Sequence, residues 1–337
     1  MKKIDLLLST SKCYTRENFE ASFFKQALDH LGIECSIFRF DQIDLPSYFH
    51  SVKTRNPACS LSFGNIFLND PPIYLYTHRP HVIVSERSFV EAFPYLKHAL
   101  GKVMLSDQTL VHSLDSKNVH YFPTPVDPSL YHSSMKQREY EVVIFNDLID
   151  LPSLFLTWKV IFSSRIANLL EKALELIPTF HPLEAIERLF SPPKNQQEGT
   201  LGDWVFALEE ALQTKQILPI LNSIKGVNFH LFGRHIGNNW YQKLSYPDQI
   251  FLHDLLPYTL HLDVLKKSKI LITSEDSWSH LATAYGCLAI RPDDPQLEHQ
   301  ITLFLENEKK RSEKIAKTRK KLLSWEQTIK KYFLTIF

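Results

Sequence analysis

Two short stretches in the second half of the chain combine residue types suited to holding negative charge. Gly233, Arg234 and His235 follow an apolar run, Val227 to Phe232, and Ser274 to His280 follow another, Lys269 to Thr273. A glycine permits close approach of an anion to the backbone, and an arginine offers a planar fork of donors. A segment running into a helix adds unpaired N–H groups at the helix N-terminus. Glu275 and Asp276 stand in that second segment, where they can act as helix-terminal charges or accept bonds from hydroxyl groups. Pro257 and Tyr258 mark a turn between the two stretches. His235 and His280 can each be a ligand contact or a hydrogen-bonded structural group. The first half offers candidates for proton transfer: His78 and Arg79 before the run His81 to Val84, Glu86 after it, and Asp107 after the run Lys102 to Leu105. A carboxylate or histidine able to take a hydroxyl proton is what general-base chemistry needs. Tyr14 and Arg16 follow the first apolar run and join this group.

The elements that must position these residues read as alternating strands and helices. Ile4 to Ser9 predicts a strand, and Arg16 to Leu31 a helix with Phe19, Phe23, Ala27 and Leu31 on one stripe, closed by Gly32. Glu34 to Phe40 supplies the next strand, a βαβ opening. Further short runs at Ser60 to Phe63, His81 to Val84, Lys102 to Leu105 and Val119 to Phe122 have the length of buried parallel strands. A proline-rich joint, Pro123 to Pro128, follows. Strand-like Glu141 to Phe145 precedes a helical stretch from Leu154 to about Leu218, broken by Ser191 to Gly199. Alternation resumes with Val227 to Phe232, Ile250 to Leu252, a helix at Leu260 to Ser268, Lys269 to Thr273, a helix at Ser279 to Tyr285, and Cys287 to Ile290. Gln296 to Phe337 is helical and basic.

At 337 residues the chain has room for two domains of ordinary size. With 44% hydrophobic residues, and 38 Lys and Arg against 37 Asp and Glu, it is globular and has no global charge for nucleic acid. Cys13, Cys35, Cys59 and Cys287 lack metal-ligand spacing, so neither a zinc site nor a disulfide framework is expected, and a reducing cytoplasm fits. The apolar run after Met1-Lys2-Lys3 is too short for a secretory core and contains Asp5. No apolar run reaches the length of a membrane span.

The order Val227 to His235, Phe251 to Tyr258, and Leu265 to Ile272 resembles the C-terminal lobe of GT-B glycosyltransferases, over roughly residues 225–295. The nearest subgroup is the spore-maturation-protein-like glycosyltransferases. Pro125-Val126-Asp127 with Tyr131 resembles the joint between GT-B lobes, and Ser324-Trp325-Glu326 the final helix that crosses back. The resemblance implies an α/β fold of two Rossmann-like lobes. An acceptor lobe would cover 1–125, and a nucleotide-sugar lobe 126–310 with a helical insertion at about 154–218. A terminal helix, 311–337, would return to the first lobe. It implies a donor site built from Gly233, Arg234, His235, Pro257, Tyr258, Ser274, Glu275, Asp276 and His280. Catalysis would fall to Glu86, Asp107 or His78.

The chain departs from many retaining members of that family. Leu281 stands five positions before Gly286, where they carry an acidic ribose ligand, and Ser277 holds the second acidic position. Asp276 to Gly286 is closer to the Asp-Ser and His-Leu-Ala pattern of heptosyltransferase-like members, one residue short. The loop Ser9 to Lys12 lacks the glycines common after a first GT-B strand. The implied activity is transfer of a sugar from a nucleotide sugar to a glycan, lipid or protein acceptor, without a cofactor or metal. A non-catalytic GT-B-like scaffold or nucleotide-sugar-binding protein is the alternative, and an epimerase of the same shape a third. The ten Lys and Arg within Lys309 to Lys331 are either a solvated face or a weak contact with an anionic membrane.

Overall fold

The computed structural model describes residues 3–9, 15–64, 72–85, 93–96, 98–106, 108–114, 116–131, 138–176, 182–189, 201–237 and 239–336. The first half alternates β1 (Lys3–Leu8), α1 (Arg16–His30), β2 (Glu34–Arg39), α2 (Leu45–Arg55), β3 (Cys59–Phe63) and α3 (Tyr74–Thr77). It continues through β4 (His81–Ser85), α4 (Phe93–Leu96), β5 (Gly101–Leu105), α5 (Gln108–Leu114) and β6 (Val119–Tyr121). These six strands form one parallel sheet in the order β2-β1-β3-β4-β5-β6. β1 is central enough to bury both faces, which is why its apolar run is nearly unbroken. The exception, Asp5, is buried against the Arg55 guanidinium at 3.1 Å, and burial lifts its carboxyl to about 6.

After the joint come β7 (Tyr140–Phe145), β8 (Leu148–Ile149) and four helices, α6 (Leu151–Ile161), α7 (Ser164–Leu176), α8 (Pro182–Leu189) and α9 (Leu201–Ser223). Then follow β9 (Phe229–Phe232), β10 (His235–Ile236), β11 (Ile250–His253), α10 (Tyr258–Lys266), β12 (Ser268–Ile272), α11 (Asp276–Ala284) and β13 (Leu288–Ile290). The chain closes with α12 (Leu297–Glu306), α13 (Glu308–Arg319) and α14 (Trp325–Thr328), the last running into a π-helical turn, Ile329–Phe333. The second sheet is parallel in the order β11-β9-β7-β12-β13, and β8 pairs with β10 in a separate two-stranded piece that periodicity did not reveal.

Among the described residues, the segment expected to be helical is helical, and its expected break at Ser191 to Gly199 lies outside them. In α7, Ile166, Ala167, Leu170, Ala173 and Leu174 are buried, a stripe with the period of an α-helix. Grouping this insertion with the second lobe captures only part of its packing. Trp158 and Trp204 share one apolar core with Ile83, Val103, Leu105 and Val119 of the first sheet, so α6 to α8 and the first half of α9 pack on the first lobe, whereas Ile217, Ile220 and Leu221 of α9 join the core of the second. The terminal helix expected over 311–337 is instead broken between Arg319 and Trp325 into α13 and a second helical run. Ile315 of α13 packs in the core of the second sheet, whereas Trp325, Ile329 and Phe333 pack with Phe24 and Leu61 of the first. Trp325 lies edge-on to Phe24 and Phe63 at 6.1 and 6.2 Å. The apolar side of this basic segment is therefore spent on the two cores, and its lysines are exposed. Among the described residues, no helix is long and apolar enough to cross a membrane.

Candidate functional site

In the second sheet the chain runs outward from β7 to β9 and β11, then returns to the other side of β7 for β12 and β13. The carboxyl ends of β7 and β12 therefore flank a topological switch point, the place where open α/β sheets leave a crevice. A cleft of about 290 Å³ opens there. Asn146 and Asp147 line it from the end of β7, Phe232 from β9, and Glu275 and Trp278 from the start of α11. Gln213 of α9, Leu255 and His261 close it on the second-lobe side, and Arg16 of α1 reaches in from the first lobe.

Local chemistry fixes these positions. Arg16 is the first residue of α1, which Thr15 caps, and its Nε donates to Glu20 at 2.7 Å. Its guanidinium also lies 5.9 Å from the centre of the Tyr258 ring. Phe19, one turn along α1, meets Tyr258 edge-on at 5.5 Å, so α1 and the start of α10 hold the lobes together beside the cleft. Trp278 packs against Phe145 at 5.0 Å and Tyr258 at 5.3 Å. His261 packs edge-on against Phe145 at 4.6 Å, and burial pushes its pKa down to about 4, leaving the ring neutral at pH 7.

Gly233 stands at the end of β9 for steric reasons. A Cβ there would lie 2.3 Å from the carbonyl oxygen of Asn146 and 3.0 Å from Oδ1 of Asp147. Arg234 sits beside the cleft with its fork already committed. Its Nε and Nη2 donate to Asp147 at 2.8 and 2.5 Å, and Nη2 also reaches Glu210 at 3.2 Å. The Asp147 hydrogen bond raises the guanidinium's pKa further. His235 Nε2 donates to the carbonyl of His253 at 3.0 Å, and the ring lies near Trp240. Pro257 starts α10, and Tyr258 is half-buried between Phe19 and Trp278, with burial driving its phenol pKa up.

Of the α11 residues, only Glu275, its N-cap, belongs to the cleft lining together with Trp278. Asp276 is exposed, 3.9 Å from Arg291, whose Nη1 also approaches the carbonyl of Ser274 at 3.5 Å. His280 turns to the joint between the lobes, where its Nδ1 meets the carbonyl of Thr124 at 2.8 Å. In the first lobe His78 caps the short α3 and is exposed, at the amino end of β4 and so at the opposite end of the sheet from its strand carboxyl ends. It stands before β4, where the sequence puts it, and does not line the cleft. Tyr14, Glu86 and Asp107 lie outside the described residues.

Asn146, Asp147, Gln213 and His261 escaped the reading of the sequence, and Trp278 fell within the named Ser274 to His280 stretch without being singled out. The first two carried the same signal used for Gly233, a place directly after a strand, whereas Gln213 and His261 read as ordinary helix positions. Among the described residues no group of three or more His, Cys, Asp or Glu side chains is arranged to hold a metal ion.

No family model matches the chain, and no curated protein matches it. Solved structures do. A sucrose-phosphate synthase from Thermosynechococcus elongatus superposes with a TM-score of 0.51 at 10% identity, over 97% of this chain and 96% of that one. This chain has the GT-B-like fold. An alpha-glucosyltransferase in complex with UDP and a 13-mer DNA reaches a TM-score of 0.48 at 10% identity, covering 98% of each chain. A putative UDP-N-acetylglucosamine 2-epimerase from Listeria monocytogenes reaches 0.46 at 10% identity, over 94% of this chain and 91% of that one. The narrower likeness to the spore-maturation-protein-like subgroup rests on residues of the sequence alone.

Proposed function

We propose that the cleft between the lobes takes a nucleoside-diphosphate sugar and that the protein transfers its sugar to an acceptor hydroxyl presented from the first lobe. The observation that carries this reading is the cleft's position at the β7/β12 switch point, with Arg16 of the opposite lobe reaching in. A diphosphate gains charge as the glycosidic bond breaks, and a cation together with the N-terminus of α11 stabilises that charge where it develops. Arg16 takes the part first assigned to Arg234, because Arg16 lines the cleft whereas Arg234 stands beside it, bound to Asp147 and Glu210. Arg234 then acts indirectly by fixing the Asp147 carboxylate. Glu275 and Asp147 would repel a diphosphate in contact with them, so in this reading they face the ribose or sugar hydroxyls. Glu86 and Asp107, which follow β4 and β5 in the sequence, remain the proposed sources of a general base.

The carboxylates in the cleft also suit a protein that binds such a ligand without turning it over. Calorimetric titration with UDP, GDP, ADP and CDP, followed by donor hydrolysis assays, separates the two. Binding with turnover supports the transferase, and binding without turnover the scaffold. Replacing Arg16 with Ala should weaken nucleoside-diphosphate binding by about 1.5–3 kcal/mol, the range for a hydrogen bond to a charged group. Unchanged affinity would remove Arg16 from the site.

A further inference from the structure

His280 lies one turn beyond the cleft-lining start of α11, and its partner belongs to neither sheet. The Thr124 carbonyl at 2.8 Å sits on the buried segment that leaves β6 for the second lobe. A carbonyl only accepts, so the imidazole proton is on Nδ1. Two residues on, the Val126 amide donates to the carbonyl of Leu323 at 2.9 Å, which joins the outgoing crossing to the returning one. The other end of α11 is held from the same side. Arg319, at the end of α13, donates to the carbonyls of Thr283 at 2.9 Å and Ala284 at 2.7 Å, the last residues of α11. Six positions after Arg319 the chain buries Trp325 in the core of the first lobe. The helix that supplies Glu275 and Trp278 to the cleft is thus gripped by both strands of the hinge.

We infer that His280 is a positioning residue: its bond to Thr124 ties α11 to the joint and sets where Glu275 and Trp278 stand opposite Arg16. Only the ligand used in the test rests on the function proposed above. Asparagine can place an amide N–H near the position of Nδ1, whereas glutamine carries its amide farther out, near Nε2. Hydrogen exchange of the Val126 amide and of α11 is measured in His280→Ala, His280→Gln and His280→Asn without ligand. The same proteins are titrated with whichever of UDP, GDP, ADP or CDP most stabilises the wild type.

Exchange in the Ala and Gln variants should rise by about two- to tenfold, as for one lost hydrogen bond, and affinity should fall by a similar factor. The Asn variant should restore both. Wild-type exchange in His280→Ala overturns the inference, as does an Asn variant no better than Gln, since ring packing would then be the whole contribution. Wild-type affinity in an Ala variant with raised exchange also overturns it, because the hinge bond would then not reach the cleft. If the exchange pattern holds and no nucleoside diphosphate binds the wild-type protein, the proposed function fails while the coupling of α11 to the joint stands.

Discussion

Replacing Gly233 with alanine tests whether the end of β9 is shaped by the turn that follows β7. The new Cβ would lie 2.3 Å from the carbonyl oxygen and 2.7 Å from the carbonyl carbon of Asn146. Carbon and carbonyl oxygen meet no closer than about 3.3 Å even in favourable contacts, so one of the two backbones must move by about 1 Å. Neither obstacle is the end of a flexible side chain. Yielding would also stretch the 2.7 Å bond from the Arg234 amide to Asp147. A single added carbon in a packed site costs about 1–3 kcal/mol, and the backbone clash places this one near the upper end.

Gly226 provides the contrast. It has a positive φ of 84° with nothing within 4 Å of an added Cβ, so alanine there meets only backbone strain, about 1–2 kcal/mol. At about 2–4 °C per kcal/mol for large domains, Gly233→Ala should melt about 6–12 °C below wild type and Gly226→Ala about 2–8 °C below. Differential scanning calorimetry reads both. Because Asn146 and Asp147 line the cleft, Gly233→Ala should also lose nucleotide binding at temperatures where it stays folded, while Gly226→Ala keeps it. A Gly233→Ala protein as stable as Gly226→Ala would refute the steric reasoning.

Trp325→Ala removes a buried ring from between Phe24 and Phe63 and should cost about 3–5 kcal/mol, read by urea unfolding; it should also speed protease cleavage near Leu322. Acid should destabilise the fold through its buried neutral histidines, His81 at about 3 and His261 at about 4. Both lie below the unfolded value near 6.5, so their contribution is complete above pH 6.5 and is lost as pH falls toward 4. Asp5 acts in the opposite sense: its carboxyl, raised to about 6, favours the folded state in acid, and that stability is lost as pH rises from about 4 to 6. The difference in unfolding free energy between wild type and His261→Phe isolates one histidine and should change by about 1.4 kcal/mol per pH unit between pH 6.5 and 4. A difference independent of pH would mean that His261 is not buried neutral. Asp147→Asn leaves Arg234 with Glu210 as its carboxylate partner and should weaken nucleotide binding less than Arg16→Ala, by calorimetry; the reverse order would return Arg234 and its partner to the centre of the site.

The fold was legible because parallel strands buried on both faces must be short and apolar, and nearly every such run became a strand of one of the two sheets. The pair β8 and β10 was invisible because two residues carry no period. The terminal segment was misread as one helix because its apolar positions serve two cores, Ile315 one and Trp325 the other, and a break between them is what lets the chain cross. At the site, sequence found residues by what they could do and the structure sorted them by what already holds them. Arg234 has the right chemistry and the right strand end, yet Asp147 was needed to know that its fork is occupied, and that carboxylate comes 87 positions earlier. His280 has the same history with Thr124, 156 positions away. Both partners were set by strand order: β9 lies beside β7, and α11 starts where β12 returns to it. Knowing that order from sequence would have placed Asn146 and Asp147 in the cleft, because the strand next to the switch point always delivers its following loop there. The loops named in advance were the ones around β7, and the loop of β7 itself was the one to name.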